Sequence, residues 1–128
     1  MLVAVAPGEL IDKITILQIK SDRIADPAKL ADVRYELDVL QQARHRAIEE
    51  SPDLLECERL LRSLNERLWD IEDEIRQLER GKDFGPRFVE LARSVYRTND
   101  RRAAAKNRIN ELLGSRLKEV KDYVAYDD

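Results

Sequence analysis

The sequence predicts an all-α fold, specifically an antiparallel up-down-up-down four-helix bundle with coiled-coil-like packing. The chain has 128 residues but only 4 glycines, 4 prolines and 5% aromatic residues. So few glycines and prolines allow few turns, and β-sheets normally contain more aromatic residues. Apolar residues also recur at alternating intervals of three and four, the spacing of a helical seam. We therefore expect four long helices in a single domain, residues 1–128.

Prolines and glycines mark the predicted helix boundaries. Asp26-Pro27 and Ser51-Pro52 each place a capping side chain before a proline at the first helical position. Pro7 and Gly85-Pro86 open the other two helices, and Gly114 ends the last one. The predicted helices span residues 8–24, 27–50, 52–80 and 86–113, followed by a tail, 114–128.

The first predicted helix is apolar on more than one side. Leu10 and Leu17 lie on one face, whereas Ile11 and Ile19 point elsewhere. A helix of this kind lies at the centre of a bundle or also contacts another subunit. Residues 14–19 could alternatively form a strand, but the chain offers no second strand to pair with it.

The third predicted helix carries the longest seam. The seam residues are Leu54, Cys57, Leu61, Leu64, Leu68, Ile71, Ile75 and Leu78. At 1.5 Å per residue this helix is about 40 Å long and the first is about 25 Å. The first helix therefore cannot cover the whole seam. The uncovered part must be covered by the N-terminal segment, by the tail or by a second copy of the chain. This mismatch leads us to expect a homo-oligomer.

The fourth predicted helix is polar in the middle of its core-facing side. Its best core line is Phe88, Ala92, Val95, Asn99, Arg102, Lys106, Ile109 and Leu113. An alternative line through Leu91 and Thr98 also contains Arg102. Polar groups that face a core cost free energy unless they are paired. A reversal of the chain near residue 83 would place Tyr96 near Trp69 and Asn99 near Asn65.

Opposite charges favour the same pairing of the third and fourth helices. Segment 66–79 carries six acidic and two basic residues, a net charge of −4. Segment 93–108 carries six basic residues and one acidic residue, a net charge of +5. An acidic helix beside a basic one is oriented by this complementarity.

The polar residues of these two helices form a candidate pocket. They include the only tryptophan of the chain, together with carboxylates and cations. The candidate residues are Asn65, Trp69, Glu72, Arg76, Arg93, Tyr96, Asn99, Asp100 and Lys106. Flat rings beside cations suit a small anionic or sugar-like ligand. The alternative is a paired salt-bridge network that only sets the register of the bundle.

Three charged residues at the start of the first helix are weaker candidates. Glu9 can favour the positive end of the helix dipole, and Asp12 and Lys13 can be solvated. Alternatively, all three complete the same polar cluster from a third helix.

Several chemistries lack the residues that they require. A net charge of −3 argues against a dedicated nucleic-acid-binding domain. The single cysteine, Cys57, precludes an internal disulfide and a cysteine-based zinc site, and we expect it in the core. His45 has no nucleophile at an obvious partner position. The acidic residues of the third helix face arginines, so we expect neither a metal nor a cofactor.

No part of the sequence indicates a membrane protein. The chain has no apolar run of the roughly 18 residues that a membrane-spanning helix needs. Residues 1–6 are apolar but lack the basic region of a signal peptide. We expect a cytoplasmic protein with no membrane contact.

Three motifs resemble an uncharacterised bacterial family of small all-helical proteins, a domain of unknown function. They read PGELIDKITIL at 7–17, LNxxLWDIED at 64–73 and ELARxVYxTNDxRA at 90–103. The resemblance extends over residues 7–123 and coincides with the polar cluster. It implies a protein encoded beside glycosyltransferases of surface polysaccharide synthesis, and it implies no particular reaction.

The function predicted from these features is a self-associating binding or scaffold module. The alternative is a small enzyme or sensor for an anionic metabolite, such as a nucleotide sugar or another phosphorylated compound. In that case Arg76, Arg93 and Lys106 would hold the anion, and Glu72 or Asp100 would act as a base. The expected partners are a second copy of the chain and either another protein or an anionic small molecule.

Overall fold

In the part of the chain that it describes, the computed structural model of the protein contains four helices. They are α1 (Pro7–Arg23), α2 (Pro27–Ala47), α3 (Pro52–Arg80) and α4 (Pro86–Leu112). The structure describes residues 1–115 and residue 126, and no strand occurs among them. The predicted all-α class and four-helix bundle are therefore confirmed. Most of the predicted tail lies outside the described residues.

The helices begin at the prolines that predicted them. Asp26 accepts a hydrogen bond from the backbone of Ala28 at 3.0 Å, and Ser51 accepts one from Leu54 at 3.1 Å. α2 ends three residues earlier than predicted, because Ile48 adopts an extended conformation with φ −117° and ψ 129°. The chain is thereby extended before Pro52, a residue that disfavours helix in its predecessor.

α1 is the central helix. It packs against α2, α3 and α4, while α3 and α4 pack against each other as a hairpin. Ile11, Ile14 and Leu17 are at most 1% exposed. The central position of α1, which its apolar character on several sides indicated, is confirmed. Among the described helices, α2 packs closely against α1 alone.

The hydrophobic core lies where α1, α3 and α4 meet. Its buried cluster comprises Ile11, Ile14, Leu54, Leu61, Leu64, Ala105 and Ile109. Leu37 and Leu40 of α2 cover the edge of this cluster. The predicted seam of α3 faces the core through Ile71, whereas Ile75 and Leu78 are only half-buried. α4 follows the second of its two predicted core lines, since Ala92 on the first line is exposed.

The first turn of α1 lies directly on α4. A Cβ atom at Gly8 would overlap the backbone carbonyl oxygen of Lys106, so the close approach requires glycine. The backbone N–H of Gly8 donates a hydrogen bond to Oδ1 of Asn110 at 2.7 Å. This contact sets the register of α1 on α4. None of the described helices is long and apolar enough to cross a membrane.

Candidate functional site

A buried carboxylate joins three helices. Asp12 of α1 is 2% exposed, and its two oxygens accept hydrogen bonds from Nε and Nη2 of Arg102 in α4, at 2.9 and 2.5 Å. Asn65 of α3 donates its side-chain amide to Oδ1 of Asp12 at 2.9 Å. A bidentate, charge-assisted pair is strong and specific in geometry. We call Asp12, Asn65 and Arg102 the Asp12 junction.

Thr15 completes the junction from the next turn of α1. Its hydroxyl donates to the backbone carbonyl of Asp12 at 2.8 Å and accepts from the amide of Asn65 at 2.9 Å. Thr15 is fully buried, so an unpaired hydroxyl there would be costly. Asn65 thus donates to both Asp12 and Thr15, and these two contacts determine how its amide is oriented.

A second ion pair lies about one turn away on both helices. Nζ of Lys106 is 3.0 Å from a carboxylate oxygen of Glu9, and the Lys106 side chain is 9% exposed. Two of the weaker candidates, Glu9 and Asp12, therefore join the polar cluster from α1. The third, Lys13, is half-exposed and pairs with Glu36 of α2 at 3.4 Å.

A groove of about 250 Å³ opens beside the Asp12 junction, between α1, α3 and α4. Its lining residues are Ile16, Ile19, Asn65, Leu68, Trp69, Glu72, Asn99 and Arg102. We call it the Trp69 groove. Four of the nine predicted pocket residues line it: Asn65, Trp69, Glu72 and Asn99.

The other five predicted pocket residues lie outside the Trp69 groove. Arg93 and Tyr96 are exposed, and Asp100 lines a separate surface groove of α4. Lys106 turns toward α1, and Arg76 lies one turn beyond the lining residues of α3. Tyr96, predicted to lie near Trp69, forms an edge-on ring contact with Tyr126 at 5.0 Å and does not line the groove.

Two of the six cations in segment 93–108 bind carboxylates of α1. Arg102 binds Asp12, and Lys106 binds Glu9. The physical reason is that α1 packs against both α3 and α4 and presents its own carboxylates to α4.

Near the turn of the hairpin, an ion pair joins α3 to α4. Arg87 binds Glu74 through two bonds of 2.6 and 2.8 Å. Hydrogen bonding to the guanidinium lowers the pKa of Glu74 from its ordinary value. This pair holds the end of the hairpin and takes no part in the lining of the Trp69 groove.

The indole of Trp69 is positioned by a cation from α1. The guanidinium carbon of Arg23 lies 5.7 Å from the ring centroid, within the range of a cation–π contact. Arg23 also binds Asp70 at 2.6 Å. The ring therefore contacts a paired arginine and at the same time lines the groove.

Cations around the Trp69 groove are matched by carboxylates. Arg102 is held by Asp12, and Arg76 lies 3.7 Å from Glu72 at the rim. Together with the paired Arg23, these contacts leave the groove with little net charge to offer a ligand. Its polar groups act mainly as hydrogen-bond donors and acceptors.

A second buried ionic cluster joins α2 to α3. Arg44 is 8% exposed and binds both oxygens of Glu58 at 2.7 and 2.8 Å, and Glu50 at 2.7 Å. Hydrogen bonding to Glu58 raises the pKa of Arg44, so the guanidinium stays charged. None of the three residues lines the Trp69 groove, and the cluster connects the end of α2 to the first turns of α3.

The described part of the chain offers no group of three or more His, Cys, Asp or Glu side chains placed to hold a metal ion. Cys57 is half-buried, and burial raises the pKa of its thiol. The Trp69 groove itself presents hydrogen-bond donors and acceptors beside an aromatic ring.

Arg102 and Thr15 belong to the site but were not among the predicted site residues. Arg102 was present on both predicted core lines of the fourth helix. An arginine on a core line requires a buried carboxylate partner, and Asp12 lies on the helix that is apolar on several sides. An arginine on a core line and an aspartate on a central helix together indicated that Arg102 and Asp12 form a buried pair.

A family model described as a family of unknown function (DUF6165) matches residues 1–126. The match includes every residue of the Asp12 junction and of the Trp69 groove. No curated protein and no solved structure matches the chain.

Proposed function

Because the chain belongs to the family of unknown function DUF6165, we propose its function from the site: it is a binding module, and its Trp69 groove holds a small, uncharged, hydroxyl-rich ring. The observation that carries this proposal is the composition of the groove. An indole ring, two amides and a carboxylate converge around a space of about 250 Å³. The Asp12 junction holds the three walls at fixed distances.

The polar groups of the groove complement hydroxyls. Amide side chains such as Asn99 both donate and accept hydrogen bonds, and the carboxylate of Glu72 accepts them. A hydroxyl group both donates and accepts hydrogen bonds, so it can pair with the amides and with the carboxylate. The ring of Trp69 supplies a flat apolar surface for the C–H side of a saturated ring. Pockets for larger ligands usually exceed about 300 Å³, so the groove suits one ring better than a whole nucleotide sugar.

The paired charges favour an uncharged ligand over an anionic one. An anion at Arg102 would compete with Asp12, which already holds the guanidinium through two bonds. Of the three cations expected to hold an anion, Arg93 is exposed outside the groove, Lys106 faces Glu9, and Arg76 pairs at the rim. The geometry therefore supports a binding role better than a sensor or enzyme for phosphorylated metabolites.

The test is a calorimetric and thermal-shift titration with methyl glycosides, and with inorganic phosphate and nucleotides for comparison. A glycoside at 100 times its Kd should add about 2.7 kcal/mol to stability, a shift of several degrees. Asn99→Ala and Trp69→Ala should weaken binding at least tenfold. Arg93→Ala, which changes an exposed residue outside the groove, should bind like the wild type. Absence of glycoside binding, or full binding by Asn99→Ala, contradicts the proposal.

We also propose that the protein self-associates through the end of the α3–α4 hairpin. α1 has 17 residues and its last residue, Arg23, pairs with Asp70, whereas α3 continues to Arg80. Beyond α1 the hairpin keeps several apolar residues half-buried or exposed: Ile75, Leu78, Phe84, Phe88 and Val89. A second copy that pairs its own hairpin with this one would complete a four-helix arrangement and bury them.

Sedimentation velocity over a range of concentrations tests self-association. We expect a dimer at micromolar concentration that Val89→Asp converts to a monomer. Leu55→Asp is the matched control, because Leu55 is an apolar residue of similar exposure at the opposite end of α3. A wild-type chain that stays monomeric, or an equal effect of both substitutions, contradicts this proposal.

A further inference from the structure

A larger cavity adjoins the Trp69 groove. It measures about 490 Å³ and lies between the N-terminal segment, α1, α2 and one residue of α4. Its apolar walls are Val3, Val5, Leu10, Ile16 and Leu40. We call it the α2 cavity. It exists because α2 packs closely against α1 alone among the described helices and leaves the space toward α4 open.

The α2 cavity and the Trp69 groove are neighbours along α1. Both are lined by Ile16 and by Arg102. Glu9 and Asp12 line the cavity and Ile19 lines the groove, and positions 9, 12, 16 and 19 fall on one side of a helix. The two spaces therefore lie end to end along the same side of α1, over about 15 Å.

The two spaces differ in polarity. In the α2 cavity the charged lining residues are paired. Lys13 binds Glu36 at 3.4 Å, Asp12 binds Arg102, and Glu9 binds Lys106, which lies outside the lining. The aliphatic residues keep free surface, since Val3 is 69% and Val5 is 52% exposed. Covering this surface with an apolar chain is favourable, because it removes the surface from water. The Trp69 groove, in contrast, offers amides, a carboxylate and an indole.

From this shared lining we propose that the ligand is amphipathic. Its hydroxyl-rich head lies in the Trp69 groove and its apolar chain lies in the α2 cavity, the chemistry of an alkyl or lipid glycoside. This inference rests on the proposed function of the groove and adds the class of the attached chain. Ile16 and Arg102 contact the ligand where the head meets the chain.

The test uses alkyl glycosides of rising chain length. Methyl, butyl, hexyl and octyl glucosides, galactosides and mannosides are titrated by calorimetry below their micelle concentrations. Affinity should rise two- to fourfold for each added methylene until the cavity is filled. Val5→Gln and Leu40→Gln should flatten this rise and leave the Kd of the methyl glycoside within twofold. Val5 is half-exposed, so its substitution keeps the fold. Asn99→Ala should weaken every member of a series by the same factor.

Each contrary result has a distinct meaning. Equal affinity across a series overturns the amphipathic ligand and leaves the proposed function of the groove intact. Failure of every glycoside to bind overturns both proposals. Two further results would show that the cavity binds the alkyl chain without the groove, and would overturn the inference. One is that octanol binds as tightly as the octyl glycosides. The other is that Asn99→Ala does not weaken binding of the octyl glycosides.

Discussion

Asp12 is the residue on which the contact of three helices depends. Asp12→Ala removes the acceptor that Arg102 and Asn65 share inside the protein. Losing one partner of such a buried pair costs about 3 kcal/mol. We expect a lower urea midpoint with an unchanged slope. Lys13→Ala, at the half-exposed next position, should change stability by less than about 0.5 kcal/mol. Equal stability of the two variants would argue against a structural junction at Asp12.

Gly8 is the position where a single methyl group is excluded. In Gly8→Ala the new Cβ overlaps a backbone carbonyl of α4, which cannot rotate away as a side chain can. Overpacking of this kind costs about 1–3 kcal/mol. Gly81→Ala is the control, because its Cβ atom would lie 3.7 Å from the nearest carbonyl oxygen, that of Gln77. Thermal unfolding should separate the two variants, and a Gly8→Ala chain as stable as Gly81→Ala would refute the close approach.

At the residue scale, the sequence predicted which polar positions matter better than it predicted their partners. Four pocket residues do meet in the groove. Asp12 was harder to interpret, because acidic residues near a helix start are commonly explained by the helix dipole. Its partner Arg102 lies 90 positions away in the chain. Only the register of α1 on α4 brings the two together, and no local pattern encodes that register.

Among the elements, the connection between α2 and α3 depends on Arg44. Arg44→Ala would leave the Glu58 carboxylate, 12% exposed, without the guanidinium that now binds both its oxygens. We expect a loss of about 2 kcal/mol and faster proteolysis within residues 48–51. Arg46→Ala, on the exposed side of α2, should have little effect on either measurement. Similar results for both variants would show that the buried cluster does not hold the connection.

The hairpin pair gives a pH dependence of defined sign. Arg87 lowers the pKa of Glu74 in the folded protein below its unfolded value. The stability that this pair contributes is therefore present above the ordinary glutamate pKa, about 4.3, and is lost as the pH falls through the folded pKa. Glu74→Gln should be less stable than the wild type at pH 7 and should approach it near pH 3. A difference that stays constant from pH 7 to pH 3 would contradict this assignment.

Helix starts were predictable because capping residues and prolines act locally. The rotation of α4 about its axis was not, since two neighbouring apolar lines both contained Arg102. The structure selects the line through Leu91 and Thr98. With this rotation of α4, Arg102 binds Asp12 at the edge of the core, and Ala105 and Ile109 pack in the centre of the core. The rotation of α4 therefore depends on its contacts with α1, and the sequence pattern of α4 alone does not predict them.

In the molecule as a whole, stability should be unevenly distributed. α2 carries one buried residue, Arg44, and packs closely against α1 alone among the described helices. α1 is enclosed by three helices. Local opening is easier where few apolar contacts are lost. Hydrogen exchange should therefore show α2 amides exchanging faster than α1 amides. Equal protection of the two helices would show that they open only by global unfolding.

The overall class was predictable from composition and spacing, but the arrangement of neighbours was only partly so. Short connections predict that successive helices lie side by side. Instead, the extended segment after Ala47 leads away from α2, and α1 takes the central place. The apolar faces of α1 indicated that place. The homo-oligomer and the ligand remain predictions that the proposed experiments address.

The central position of α1 has a consequence for the order of folding. The α3–α4 hairpin is built from contacts between neighbouring segments, so it can form early. The hydrogen bond from Gly8 to Asn110 joins residues 102 positions apart. During synthesis α1 emerges before α3 and α4, so its docking surface on them is complete only after residue 110 has emerged. We therefore expect α1 to reach its final position only after α4 is available, and the Trp69 groove to be complete at that step.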